Sequence, residues 1–184
     1  MDMANREELI PIIERHGITD YCFIDPSKDI VTGQWVRFHC MFGCPNYGTY
    51  ATCPTALPSL EVCRELFSEY SLGILIHTTM PYVDKESSRA ATLALTKQQL
   101  ALEREIFLND YRKVLLLGGS TCKLCAKCTA DGKREDCVNK AQSRPSLEAM
   151  GIDVYQTARN FGFPIRVLKD YSEDMNRYSI LLIE

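Results

Sequence analysis

The 184-residue chain carries 21 Lys and Arg against 24 Asp and Glu, a formal charge of −3, with 46% hydrophobic residues. That composition fits one soluble domain with a single core, and the near balance of charge excludes the global basic field that drives nonspecific nucleic-acid binding. The longest apolar runs, such as 73–76 and 114–117, fall far short of the ~20 residues that cross a bilayer, and the acidic start Met-Asp-Met-Ala lacks a signal peptide's basic and apolar regions, so no membrane is expected and the cytosol is the expected compartment.

Asn5-x-x-Glu8 has capping-box spacing, and Leu9, Ile12 and Ile13 make an apolar stripe that stops at Gly17, which predicts a helix over 5–16. Tyr21 to Ile24 and Gln34 to His39 read as short strands, with turns at Asp25-Pro26-Ser27 and Thr32-Gly33 between them. From 40 to 58 the chain is dense in Gly, Pro, Cys and Tyr without an apolar period, so something other than core packing has to order it. Ser59 then caps a helix to about Tyr70. Leu72 to His77 reads as a buried strand, and Asp84 opens a long helix that carries Leu93, Leu100, Leu102 and Ile106 without Pro or Gly. Lys113 to Leu117 is a strand ending in Gly118-Gly119, just before a second cysteine-rich loop. Asp153-x-x-Gln156 caps a short helix ending at Gly162, and Ile165 to Leu168 and Tyr178 to Ile183 read as the last two strands. The order predicts an α/β or α+β fold, a single domain over 1–184 with a mixed sheet of about five strands, flanking helices and two cysteine-rich metal-binding loops at 40–58 and 118–145.

Nine cysteines are too few, at this length, for a disulfide scaffold. In a reducing compartment, clustered thiols point to metal or redox chemistry. The second cluster reads Cys122-x-x-Cys125-x-x-Cys128, followed after eight intervening residues by Cys137. Three thiolates so spaced wrap one face of a cubane while a fourth arrives from further along the chain. The commonest ferredoxin pattern has a gap of three and a following Pro, where this chain has a gap of eight and Val138. Four thiolates also suit a structural zinc, although zinc sites usually present two separated Cys-x-x-Cys pairs. The first cluster places Cys40, Cys44 and Cys53 in fourteen residues. If they hold a cubane, the fourth iron takes a ligand from Cys22, Cys63, His39 or Cys137, or none from the protein. Cys22, in a strand, and Cys63, on a helix, read as buried apolar thiols.

The segment from Cys40 to Pro54 with its Asn-Tyr-Gly, the Cys-x-x-Cys-x-x-Cys with a later Cys, then Arg144-Pro-Ser-Leu-Glu-Ala149 and Gly151-Ile-Asp-Val154, resembles the predicted metal-binding family catalogued as domain of unknown function 2284. Its members occur chiefly in anaerobic bacteria and archaea. The resemblance implies metal held by these cysteines, as iron–sulfur clusters, and implies no particular reaction. The family's first motif commonly reads Cys-Pro-Pro, where this chain has Cys53-Pro54-Thr55.

Other features carry less. Lys123, Lys127, Lys133 and Arg134 surround the second cluster, as counter-charges to a reduced 4Fe-4S core or as simple solvation of a loop. Arg144 and Ser146 stand where a short helix could start and hold an anion. Glu103 and Glu105, on the long helix, read as solvent-facing charge. The leading expectation is a metal-binding protein with one or two 4Fe-4S clusters, passing single electrons to or from a partner enzyme. Its rivals are a zinc-stabilised interaction module without redox activity, and an enzyme that works at an open iron on the three-cysteine cluster.

Overall fold

The computed structural model describes residues 3–81, 83–170 and 173–184. Its frame is one antiparallel sheet in the order β1, β2, β4, β3, from β1 (Tyr21–Ile24), β2 (Gly73–Met80), β3 (Leu115–Leu117) and β4 (Met175–Leu182). β2 and β4 pair along their full lengths, from Gly73 opposite Leu182 to Met80 opposite Met175. Side chains alternate across a strand, and here both faces are covered. Ile74, Ile76, Leu116 and Leu181 meet Leu9 and Ile13 of α1 (Met3–Arg15) and Leu102 and Ile106 of α5 (Lys85–Leu108). On the other face Leu75, Leu117, Ile180 and Leu182 pack with Cys63 and Phe67 of α4 (Leu60–Ser68), Ala158 of α6 (Val154–Asn160), and Leu147, Met150 and Ile152. Burial on both faces is why the central strands read as continuous apolar runs rather than alternating ones.

Helices and strands thus mix in one chain as expected, with, among the described residues, four strands rather than about five and no two of them parallel. Two segments account for the count. Gln34 to His39 is not a strand: it belongs to α3 (Gln34–Gly43), started at Gly33 and ended at Cys44. Trp, Val and Phe favour strands, but no neighbouring strand accepts this segment's backbone groups, and a helix satisfies them internally. Its position is set by Gly33 N donating to the Gly151 carbonyl at 2.9 Å and by a bridge between Thr32 and Ile152. Ile165 to Leu168 is irregular as well. It is held from outside, by the Tyr178 hydroxyl on the Pro164 carbonyl and the Tyr155 hydroxyl on that of Arg166. The turn at Asp25 is a single helical turn, α2 (Pro26–Asp29), and α1 begins ahead of Asn5, which is therefore not its cap. The caps of α4, α5 and α6 are Ser59, Asp84 and Asp153, as the sequence signals.

Glu103 and Arg144 are also corrected. Glu103 is 7% exposed, not solvent-facing. It accepts from the Leu116 N–H at 2.7 Å and from Arg144 Nη2 at 2.7 Å and Nε at 3.0 Å. Arg144 therefore spends its guanidinium on Glu103, no helix starts there, and Ser146 bridges to Gly118. The pair ties α5, β3 and the second cysteine loop together. Among the described residues no helix is long and apolar enough to cross a membrane.

Candidate metal centre

All nine cysteines are free thiols. Cys122, Cys125, Cys128 and Cys137 line one small cavity, together with Tyr50, Ala51, Thr52, Asn139 and Ser143. The loop folds back on polar anchors rather than on a core. Asn139 Nδ2 donates to Cys125 Sγ at 3.0 Å, Cys137 Sγ lies 3.5 Å from Ser143 Oγ, and Arg134 donates to that same hydroxyl. Arg89 of α5 donates to the carbonyls of Lys123, at 3.3 Å, and Cys125. Burial pushes the Cys122 thiol above its ordinary range; the Leu124 N–H on its sulfur works the other way, and Cys137, Cys125 and Cys128 add to the rise. Ionised sulfurs held this close repel one another, and a cation among them offsets that repulsion.

Cys40, Cys44 and Cys53 line a second cavity of about 390 Å³. Cys40 and Cys44 are one helical turn apart, on α3 and at its end, which puts both sulfurs on one side. Cys53, 9% exposed, takes a 3.4 Å hydrogen bond from the Tyr50 N–H. Burial raises the Cys40 thiol, with Glu148, Cys44 and Cys53 adding and Arg37 opposing. None of the four candidate fourth ligands lines this cavity: Cys137 faces the other one, and His39 faces a separate groove. Cys63 is buried with Arg37 Nη2 3.2 Å from its sulfur. Cys22 packs against the core, and burial, then Asp29 and Asp20, push its thiol up to about 11. What remains on the walls besides the three thiols is Asn46, Tyr47, Tyr50, Thr52, Thr121 and Ser146, with Pro54 and Ala149.

The cavities interlock. Tyr50 and Thr52, from the first loop, line both, and Thr121, beside Cys122, lines the three-thiol cavity. Gly132 has φ +72°, and a Cβ there would collide with the Gly48 carbonyl, so the loops touch backbone to backbone. Cations gather at the junction. Lys123 lies 5.9 Å over the Tyr50 ring; burial first, then Arg89, Arg177 and Lys85, disfavours its charge, and Cys122 favours it. Among the described residues no three His, Cys, Asp or Glu side chains converge on a single-ion site. Tyr50, Thr52, Asn139, Ser143 and Arg89 carry no sequence signal, being lone polar residues brought in by the loops and α5.

A chain whose thiols divide four and three in this way is a candidate for more than one metal. The model of the family described as Predicted metal-binding protein (DUF2284) matches residues 23–183. The chain belongs to this family. The DUF2284 match spans both cysteine loops and leaves out Cys22. Neither a curated protein nor a solved structure matches the chain. As a DUF2284 member it is a metal-binding protein by family, and the metal's identity rests on the chemistry of the two cavities.

Proposed function

We propose that this protein is an iron–sulfur electron carrier, with one 4Fe-4S cluster on Cys122, Cys125, Cys128 and Cys137 and a second on Cys40, Cys44 and Cys53. The supporting observation is the division of seven thiols between two cavities that share Tyr50 and Thr52. Tetrahedral zinc, with Zn–S near 2.3 Å, needs four sulfurs within about 3.8 Å of one another. Seven thiols set four and three around two adjoining cavities suit two polynuclear clusters.

A 4Fe-4S cluster, when bound, supplies one-electron redox chemistry. The chain's own groups set the conditions. Asn139 and the Leu124 and Tyr50 N–H groups direct hydrogen bonds at Cys125, Cys122 and Cys53, which stabilises charge on sulfur. Arg89 and Lys123 favour the more negative, reduced state, and with Lys85 they form a basic rim for an acidic partner protein in the cytosol. Tyr50 and Thr52 keep the two sites one side chain apart.

The three-thiol cavity favours a second reading. Its walls supply no fourth thiol, imidazole or carboxylate, so one iron there is open to an external ligand and the protein is an enzyme fed by its other cluster. Iron, acid-labile sulfide and zinc per chain, on protein purified without oxygen, test the main reading, with absorption before and after dithionite. About eight irons and eight sulfides with bleaching, on two-cubane ligation, are the expected result. Zinc without colour overturns it.

A further inference from the structure

Outside the cysteine cavities lies a groove that neither cluster uses. One arm is lined by Trp35, Cys40, Ile152 and Val167, and the other by Arg166, Asn176 and Arg177. Glu148, Val154 and Tyr155 belong to both arms. Cys40 is the wall that the groove and the three-thiol cavity have in common.

Arg177 is the group the fold does not explain. Its Nη1 donates to the Gly119 carbonyl at 3.4 Å, its Nη2 lies 3.9 Å from Met175 Sδ, and its buried Nε has no partner. Among the described residues no carboxylate forms an ion pair with it, while its neighbour Arg166 is paired with Glu173 at 2.5 Å. Burial works against the Arg177 charge and Glu148 favours it from beyond ion-pair distance. A partly desolvated guanidinium with such weak acceptors is costly unless something completes it, and its planar fork matches a carboxylate or a phosphate. The opposite arm carries the apolar Trp35, Val36, Ile152 and Val167 beside His39 and Asp153, and Trp35 and Val167 are 58% and 73% exposed there.

We propose that this groove binds a small organic anion, its oxyanion held by Arg177 and its apolar body lying along Val154, Tyr155 and Trp35. Glu148, at the junction of the arms, selects against a second negative group on that body. The ligand then ends beside Cys40, against the three-thiol site, as a substrate or a regulator of it. The inference does not depend on which metal the cysteines hold.

Benzoate and phenyl phosphate, titrated into metal-replete protein purified without oxygen, test it by calorimetry and by the emission of Trp35, the single tryptophan. The expected result is saturable binding of at least one probe at one site per chain, with a change in Trp35 emission; which probe binds identifies the oxyanion. R177Q should weaken binding about tenfold or more, the size of a lost charge-assisted hydrogen bond, and R177K should retain part of it. V167E, on an exposed position that does not threaten folding, should also weaken it. No saturable binding of either probe, or affinity unchanged in both R177Q and V167E, overturns the proposal. Metal counted on the same samples keeps the two ideas apart: absent iron with intact anion binding sinks the cluster reading and leaves this one standing.

Discussion

The two cysteine sites are neighbours built in opposite ways. The three-thiol site borrows regular structure: Cys40 and Cys44 ride on α3, and Cys53 is buried beside Ala51 and Thr52. The four-thiol site has almost none, since within 118–145 only Ala130 and Ser143 are buried and the polar bonds of Asn139, Arg134 and Arg89 do the anchoring. We expect the first site to be shaped by the fold before metal arrives and the second to depend largely on its metal.

Removing the metal should separate them most sharply. Anaerobic chelation is expected to expose 121–142 to protease first and 44–56 later, while the sheet and α5 stay protected; equal protection of both loops in the metal-free protein would erase the contrast. Next, C125S or C137S should remove the metal of one site, about half of the iron on two-cubane ligation, and C53S that of the other, as read by metal content and EPR. If C137S also strips the first site, the two share a ligand and the division into four and three is wrong.

Glu103 offers a smaller, directional test. E103A leaves Arg144 half-buried without its partner, a change that costs about 3 kcal/mol where the remaining charge is well buried, and it frees the Leu116 N–H. The melting temperature should fall, and the second loop should loosen while the Cys40 site keeps its metal. E103Q, which still accepts from Leu116, should recover part of the loss.

The smallest effect is alkaline. Burial raises the Cys22 thiol from 9.0 to about 11 and the Tyr178 phenol from 10.0 to about 12. The unfolded chain therefore ionises first, so the contribution of Cys22 is intact below pH 9 and declines as pH rises toward 11. Thermal melts from pH 8 to 10.5 should show that slope, and C22A should flatten it; an unchanged slope would place its origin elsewhere.

Much of the frame is legible in the sequence because its signals are local. Ser59, Asp84 and Asp153 announce three helices by capping chemistry, and the apolar runs at 72–77 and 114–117 announce strands. Gln34 to His39 misleads because Trp-Val-Arg-Phe has strand propensity while the presence of a strand partner is a tertiary matter. Glu103 misleads because an acid on a polar helix face looks solvated until Arg144, 41 residues away, covers it.

By itself the sequence determined which thiols belong together: the spacing of Cys122, Cys125 and Cys128, and of Cys40 and Cys44, follows from backbone geometry over one or two turns. Only the tertiary structure gathers Cys137 with Cys122, Cys125 and Cys128 around one cavity and, among the described residues, puts no fourth thiol on the walls of the other. It also brought the two sites together at Tyr50 and Thr52 and left the buried Arg177 Nε without a hydrogen-bond partner. Those choices depend on how loops far apart in the chain pack against one sheet, and no local pattern encodes that distance.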